Sequence, residues 1–213
     1  YEISTRDWSS DVCSSDLGGF GTPDTPTAVC ALRVALSPLR FAHYALRLVK
    51  LYFLRHAAAL DGADDAKRPL SPTGRRQARK LSRALRRAGI AFDLAFTSPL
   101  VRAKQTADIV LDIANDARPI PAQEVSILLN DAEADTFADW LVRLPPDAGH
   151  VLLVGHEPSL SARVRRLLGL ERAEALALSK GALACVKTAD RRTGSLKFLL
   201  TPKSLGVSEG RPA

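Results

Sequence analysis

Two short apolar runs, each leading to a histidine, constrain the fold of this chain most strongly. Residues 51–54 are aromatic and aliphatic, and Arg55 and His56 follow them directly. Residues 151–154 are aliphatic and lead through a glycine to His156. Runs of this length and composition predict buried strands, and in open α/β sheets ligands bind beyond the carboxyl ends of such strands. A strand that simply ends at the solvent-exposed surface would also explain these polar residues. The choice between a functional site and an exposed strand end therefore depends on the other motifs.

An amphipathic segment after the first run predicts a helix with one strongly basic face. Ser71 suits the N-cap and Pro72 the first helical residue, and Gly89 suits the residue just past the end. The apolar face consists of Ala78, Leu81, Leu85 and Ala88, and the basic face of Arg75, Arg76, Arg79, Lys80, Arg83, Arg86 and Arg87. We interpret the basic face as solvated; the alternative is a docking surface for an acidic partner.

Further strands and helices alternate along the rest of the chain. The predicted elements are a strand at 93–97, a helix from Ser98-Pro99 to about 114, a strand at 124–128, a helix at 132–144, a helix at 159–168, and a hairpin of 182–188 with 195–201. Such alternation predicts an α/β fold. We expect a three-layer α/β/α arrangement with a largely parallel central sheet and a C-terminal hairpin.

Composition narrows the classes of function. The 213 residues contain 46% hydrophobic and 25% charged residues, typical of one globular domain. The net charge of +7 favours partners that carry phosphate. Cys13, Cys30 and Cys185 form neither a disulfide framework nor a zinc pattern, so we expect a cytoplasmic location. No apolar stretch reaches the length of a membrane span.

The first 48 residues are predicted to lie outside the folded domain. Residues 1–17 resemble the translation of a sequencing-library adapter, and the chain contains no methionine. Residues 28–48 are apolar with arginine as their charged residue, which fits a presequence, an amphipathic membrane helix or a translated GC-rich upstream region. We favour the last of these, with Val49 as the natural start. The predicted organisation is an artefactual or disordered extension at 1–48, a domain at 49–203 and a tail at 204–213.

The predicted strand ends bring phosphate-binding residue types to one edge of the sheet. Arg55 and His56, the segment from Ser98 to Arg102, and His156 each follow a parallel strand. Arginine binds phosphoryl oxygens in bidentate fashion, and a neutral histidine can act as a nucleophile near pH 7. Carboxylates in a metal-ligand pattern do not accompany this set, so we expect no metal and no other cofactor.

Four motifs in this chain resemble those of the histidine phosphatase superfamily, over about residues 49–202. Three of them, at 54–56, 98–107 and 154–158, resemble the signature segments of the superfamily, and 68–74 (RPLSPTG) resembles a motif of its short SixA-like phosphohistidine phosphatase branch. The resemblance implies a phosphoglycerate mutase-like fold. It also implies that His56 is the nucleophile that becomes phosphorylated, that Arg55, Arg102 and His156 complete the phosphate pocket, and that Arg68 is an additional substrate-binding arginine.

Two departures from the superfamily pattern bear on the chemistry. Ala57 stands where glycine is most frequent, and we expect little effect unless its φ is positive. Larger members carry a carboxylic acid that protonates the leaving oxygen, whereas here Asp131, Glu133 and Asp135 are the nearest candidates and none lies in a recognisable acid motif. A leaving imidazole needs a general acid less than an alkoxide does, so this pattern favours a P–N substrate.

The sequence therefore predicts a metal-independent protein phosphatase that hydrolyses phosphohistidine. The enzymatic alternative is a small-molecule phosphomonoesterase of the same superfamily. A third alternative is a non-catalytic module that binds phosphate or nucleic acid through the basic helix face, which the set of His56, His156 and two arginines disfavours. We expect a phosphohistidine-containing protein as partner, no nucleic acid, no membrane, and a monomer.

Overall fold

The computed structural model describes residues 48–130 and 134–207, and these residues belong to one compact unit. The extension predicted at 1–48, apart from its last residue, lies outside the described residues, as do the end of the predicted tail and two of the candidate acids, Asp131 and Glu133.

A single mixed sheet forms the centre of the described fold. Its strands are β1 (Val49–Arg55), β2 (Leu94–Thr97), β3 (Gln123–Glu124), β4 (His150–Gly155), β5 (Leu183–Thr188) and β6 (Ser195–Leu200), in the spatial order β3-β2-β4-β1-β5-β6. The four strands from β3 to β1 are parallel, while β5 is antiparallel to both β1 and β6. The largely parallel sheet and the C-terminal hairpin are therefore confirmed.

Helices cover both faces of this sheet. They are α1 (Pro72–Arg87), α2 (Val101–Ala114), α3 (Ala134–Val142) and α4 (Ser159–Leu167), with short 3-10 turns at Asp65–Lys67, Ser126–Leu128 and Ala173–Ala175. Successive side chains of a strand point to opposite faces. Accordingly Leu51 and Phe53 of β1 pack in the cluster formed with α3 and α4, and Tyr52 and Leu54 pack in the cluster formed with α1 and α2. The predicted three-layer arrangement is confirmed.

The first helix begins and ends as its sequence predicts. The Ser71 hydroxyl accepts a hydrogen bond from the Gly74 N–H at 3.0 Å, and Pro72 is the first helical residue. Gly89 follows the helix with a φ of +66°, a conformation that glycine adopts without steric cost. These local signals depend on neighbouring residues alone, which is why the sequence predicts them well.

The predicted third strand is mostly a turn. Gln123 and Glu124 pair with β2, but residues 126–128 form a 3-10 turn that buries Leu128 completely. A short apolar run has the same sequence signal in a buried strand and in a buried turn. The prediction of a strand through residue 128 was therefore wrong beyond Glu124.

Two helices are shorter than predicted. Helix α2 begins at Val101 rather than at Ser98, because the Ser98 N–H donates to the Val154 carbonyl oxygen at 3.1 Å and so continues the sheet. Helix α3 ends at Val142. The Arg191 guanidinium donates to carbonyl oxygens at this end, including that of Val142 at 3.3 Å, and thereby satisfies acceptors that a longer helix would have used.

None of the helices in the described ranges has the length and apolar character needed to cross a membrane. Helix α1 is the longest of them at 16 residues and carries seven basic side chains. The cytoplasmic location stays a prediction.

Candidate active site

His56 lies directly beyond the carboxyl end of β1 and is 7% exposed. Its backbone N–H donates to the Gly155 carbonyl oxygen at 3.1 Å, and its own carbonyl oxygen accepts from the Gly181 N–H at 3.0 Å. The ring nitrogen Nδ1 lies 2.8 Å from the Ala57 carbonyl oxygen. A carbonyl can only accept, so Nδ1 carries the proton and Nε2 keeps its lone pair. The backbone thus orients the ring with Nε2 as the potential nucleophile.

The surroundings keep the His56 ring neutral. The pKa of His56 is lowered from 6.5 to about 4, with burial as the largest cause, and the Ala57 hydrogen bond opposes this shift only partly. The positive charges of Arg102, Arg55 and Lys180 contribute to the same lowering. A neutral imidazole with a free lone pair is the reactive form for attack on phosphorus, so the nucleophile is available well below neutral pH.

His156 lies beside His56, with the two ring centroids 4.9 Å apart and the ring planes at 47°. It is 3% exposed, and its Nε2 is 2.5 Å from the Ser98 hydroxyl oxygen. Among the described residues its buried Nδ1 has no hydrogen-bond partner. A hydroxyl can donate or accept, and only when Ser98 donates to Nε2 does Nδ1 carry the hydrogen. In that tautomer His156 has an N–H ready for a phosphoryl oxygen.

Burial also keeps His156 neutral. The pKa of His156 is lowered to about 3 with burial as the largest cause; the guanidinium charges of Arg102 and Arg55 act in the same direction, while Asp65 opposes them. His156 is therefore a hydrogen-bond donor at pH 7 and a poor source of a full proton.

Arg102 lies in the first turn of α2 and is 8% exposed. Its guanidinium donates to the backbone carbonyl oxygen of Asp65 at 2.6 Å and to the side-chain Oδ2 at 2.9 Å. Hydrogen bonds from Arg102 and then Arg68 lower the pKa of the Asp65 carboxyl. The structure therefore brings an ionised carboxylate to Arg102, which is predicted to bind phosphate. Sequence reasoning missed this contact because Asp65 lies in a loop with three other acidic or glycine residues.

Arg68 lies in the loop between β1 and α1, where it binds acidic side chains and a backbone carbonyl. Its guanidinium donates to the Leu60 carbonyl oxygen at 2.7 Å, to Asp65 Oδ1 at 3.0 Å and to Asp61 Oδ1 at 2.9 Å. Asp65 thus bridges Arg68 and Arg102. The structure places Arg68 next to the pocket arginine, and its contact with substrate stays a prediction.

Arg55 and Lys180 add positive charge around His56. The Arg55 guanidinium donates to the Leu178 carbonyl oxygen at 2.8 Å. Lys180 is exposed and comes near because the adjacent Gly181 N–H donates to the carbonyl oxygens of both Arg55 and His56. Sequence reasoning missed Lys180, since its only signal is that it precedes a predicted strand and the pairing of that strand with β1 is tertiary information.

The backbone after His56 is held by the second motif. The Ala57 N–H donates to the Thr106 hydroxyl at 3.1 Å, and that hydroxyl donates to the Arg102 carbonyl oxygen at 2.6 Å. Within the described part of the chain, Arg191 is the non-glycine residue with positive φ. Ala57 therefore lacks the positive φ that would disfavour alanine, and the small effect expected of alanine at this position stays a prediction.

Asp135 is the one candidate general acid that the structure describes. It lies in the first turn of α3, and its Oδ1 is 2.5 Å from an Arg166 nitrogen on α4, with both side chains largely exposed. Within the described ranges, no hydrogen bond or ion pair joins Asp135 to His56 or His156. The described ranges also contain no cluster of three or more histidine, cysteine or acidic residues suited to a metal ion.

Comparisons with known proteins agree with this geometry. A family model described as the histidine phosphatase superfamily (branch 1) matches residues 51–126. An uncharacterized protein of Picosynechococcus sp. is 34% identical over 74% of this chain and 99% of its own length. Phosphohistidine phosphatase SixA of Escherichia coli strain K12 is 26% identical over 76% and 99%, respectively.

A solved structure confirms the predicted fold class. The protein histidine phosphatase SixA complexed with tungstate superposes with a TM-score of 0.67 at 25% identity, covering 74% of this chain and 99% of that chain.

Proposed function

Because this chain belongs to the histidine phosphatase superfamily and is a phosphatase of that kind, we propose that it hydrolyses phosphohistidine on proteins through a phosphorylated His56. Its similarity to a phosphohistidine phosphatase over nearly all of that protein supports the substrate class. The chemistry of the site supports it independently.

Two displacements at phosphorus account for the reaction. In the first, Nε2 of His56 forms a bond to phosphorus while the P–N bond to the substrate breaks. The substrate ring carries a proton on its other nitrogen, takes the bonding electron pair and leaves as neutral imidazole, and the phosphorylated His56 keeps its own proton on Nδ1. In the second, water attacks the phosphorylated His56, so the imidazole regains its lone pair and phosphate departs with the two hydrogens of the water. Both steps require positioning and stabilisation of the equatorial oxygens more than covalent help from the protein.

The described side chains can supply that stabilisation. Arg102 and Arg55 both offer guanidinium groups near His56, as their effects on its pKa indicate. The unpartnered Nδ1 of His156 offers a neutral donor. Donors that are fixed before the reaction stabilise developing charge without reorganisation. Phosphate would have to replace the Asp65 carboxylate on Arg102, an exchange of one anion for another.

The observation that carries the proposal is that Asp65, the carboxylate brought to Arg102, is hydrogen-bonded by both Arg68 and Arg102, and that His156 is buried. Arg102 and Arg68 hold Asp65 ionised, and burial holds His156 neutral. Neither is a proton donor at pH 7 that could protonate a leaving alkoxide. An imidazole leaves without such help, so this site suits a P–N bond better than a phosphate ester.

Substrate comparison tests the proposal. We expect kcat/KM to be at least ~10-fold higher for a phosphohistidine peptide than for a phosphoserine peptide or a sugar phosphate, because esters need general acid catalysis and neither of the described groups Asp65 and His156 can supply it. Alkaline quenching preserves phosphohistidine and should trap label on wild-type enzyme. Faster turnover of the sugar phosphate would overturn the substrate class, and failure to trap label on His56 during turnover would overturn the intermediate.

A further inference from the structure

Helix α1 presents a continuous positive stripe to solvent. At about 100° per residue its seven basic side chains fall within an arc of about 140°, opposite the buried residues Gln77, Ala78, Leu81, Ser82 and Leu85. Six of the seven are exposed and Arg75 is half-buried. The helix contains no acidic residue. The predicted solvated face is therefore a dense, single-sign surface.

Carboxylates neutralise little of this stripe. In the part of the chain that the structure describes, Arg86 forms an ion pair with Asp116 at 2.9 Å, and no ion pair is found for the other six. Like charges three or four residues apart destabilise a helix. Repulsion within the stripe therefore lowers the free energy of unfolding. A role in binding explains such a surface better than solvation alone does.

The start of α1 lies against the catalytic loop. The Ala58 carbonyl oxygen, two residues after His56, accepts from the Ser71 N–H at 2.9 Å, and the Ala58 N–H donates to Gln77 Oε1 at 3.0 Å. A Cβ on Gly74 would come within 1.9 Å of the Ala58 carbonyl oxygen. The amino end of α1, which carries the first residues of the stripe on its other face, therefore adjoins the catalytic loop, and the carboxyl end of the helix lies about 20 Å away along its axis.

From this placement we infer that the amino-terminal half of the stripe, which contains Arg76 and Arg79, is a docking surface for an acidic protein substrate. The inference rests on the proposed function and specifies the substrate further: the phosphohistidine is borne by a protein with negative charge next to it. A negative surface would be drawn to the stripe and held with its phosphoryl group at His56. Long-range attraction of this kind acts mainly on the association rate.

Two matched variants test the surface. The near pair Arg76→Glu/Arg79→Glu reverses two exposed charges in the amino-terminal half of α1, the half that contacts the catalytic loop. The far pair Arg83→Glu/Arg87→Glu reverses two exposed charges about 11 Å further along the same helix, and neither residue of that pair forms an ion pair with another described residue. Glutamate is a good helix former, and thermal unfolding of both variants checks that the fold is retained.

The measured quantity is the ratio of kcat/KM for an acidic protein phosphorylated on histidine to kcat/KM for free phosphohistidine. At low salt the near pair should lower this ratio by roughly 10-fold or more, and the far pair by about 3-fold or less, because screening weakens a charge over a Debye length. Raising the salt concentration should bring the wild type toward the near-pair value. Equal ratios for wild type and near pair would overturn the inference.

A binding measurement distinguishes a failure of this inference from a failure of the proposed function. The same acidic protein, without phosphate, is titrated into His56→Ala enzyme with and without each charge pair. Weaker binding by the near pair supports docking even where no phosphohistidine is hydrolysed, a result that would overturn the proposed function alone. If a labelled DNA duplex binds tightly and both pairs weaken it equally while the protein ratio is unchanged, the stripe is a nucleic-acid surface and the docking inference is wrong.

Discussion

The two histidines at the strand ends occupy equivalent positions in the fold, but opposite nitrogens of their rings are held by hydrogen bonds. His56 follows β1 and His156 follows β4, two neighbouring parallel strands. At His56 the nitrogen Nδ1 is held and Nε2 is left for the substrate, while at His156 the nitrogen Nε2 is held and Nδ1 is left. One ring thus presents a lone pair, and the other can present an N–H.

The difference comes from the partner that holds each ring. A backbone carbonyl only accepts, so the Ala57 contact fixes the His56 tautomer. The Ser98 hydroxyl can donate or accept, so the His156 tautomer depends on a side chain that mutation can change. A pair of chemically identical residues can therefore serve as nucleophile and as oxyanion donor, and the following experiments test that division.

Removal of the nucleophile should have the largest effect. His56→Ala is expected to lower kcat by more than about 1,000-fold, because no other described group offers a lone pair to phosphorus. Label from a phosphohistidine substrate should no longer be trapped after an alkaline quench. His150→Gln, at the amino end of β4 and hydrogen-bonded to Tyr52, is the control and should retain turnover. A His56→Ala enzyme that keeps full activity would refute the assignment.

Removal of the second histidine should be less severe. His156→Ala is expected to lower kcat about 100-fold to 1,000-fold, the usual cost of deleting one oxyanion donor, while phosphorylated His56 still forms slowly. Rapid-quench measurement of phosphoenzyme separates the two steps. Complete loss of phosphoenzyme in a folded His156→Ala protein would show that the two histidines do not divide the work as proposed.

Substitution of Ser98 should have a smaller effect that acts through His156. Ser98→Ala removes the partner of Nε2 and is expected to lower kcat roughly 10-fold, in proportion to a lost buried hydrogen bond, with little change in KM. Ser98→Thr keeps the hydroxyl and should restore most of the activity. Nitrogen chemical shifts of the His156 ring should reveal a mixed tautomer in the alanine variant. An unchanged tautomer in that variant would exclude this positioning role.

The smallest expected effect is the change in protonation of the His56 and His156 rings across the working pH range. With pKa values lowered to about 4 and about 3, His56 and His156 should stay neutral from about pH 8 to pH 5, whereas an unperturbed histidine titrates near pH 6.5. The unfolded chain takes up these protons first, so the free energy of unfolding should fall as pH drops from about 6.5 toward 4. Ring C–H shifts measure this, and a midpoint near pH 6.5 for either ring would contradict the burial argument.

Much of the fold and part of the site follow from local sequence signals. The Ser71 cap, the glycine after α1 and the alternating burial of β1 all depend on neighbouring residues, and the structure reproduces them. The third strand was predicted too long because a buried turn and a buried strand have the same apolar pattern. The start of α2 was predicted too early because the Ser98 backbone still bonds to β4.

The sequence by itself determined which strand ends carry the reactive groups, since that information lies in short motifs and in the alternation of strands and helices. Tertiary structure decided which atoms of those groups are engaged. The Ser98 contact with His156 joins residues 58 apart, and the Arg102 contact with Asp65 joins residues 37 apart. Local propensity carries no information about such pairs, because they form only when the sheet brings separate strand ends together, and the depressed histidine pKa values follow from the same burial.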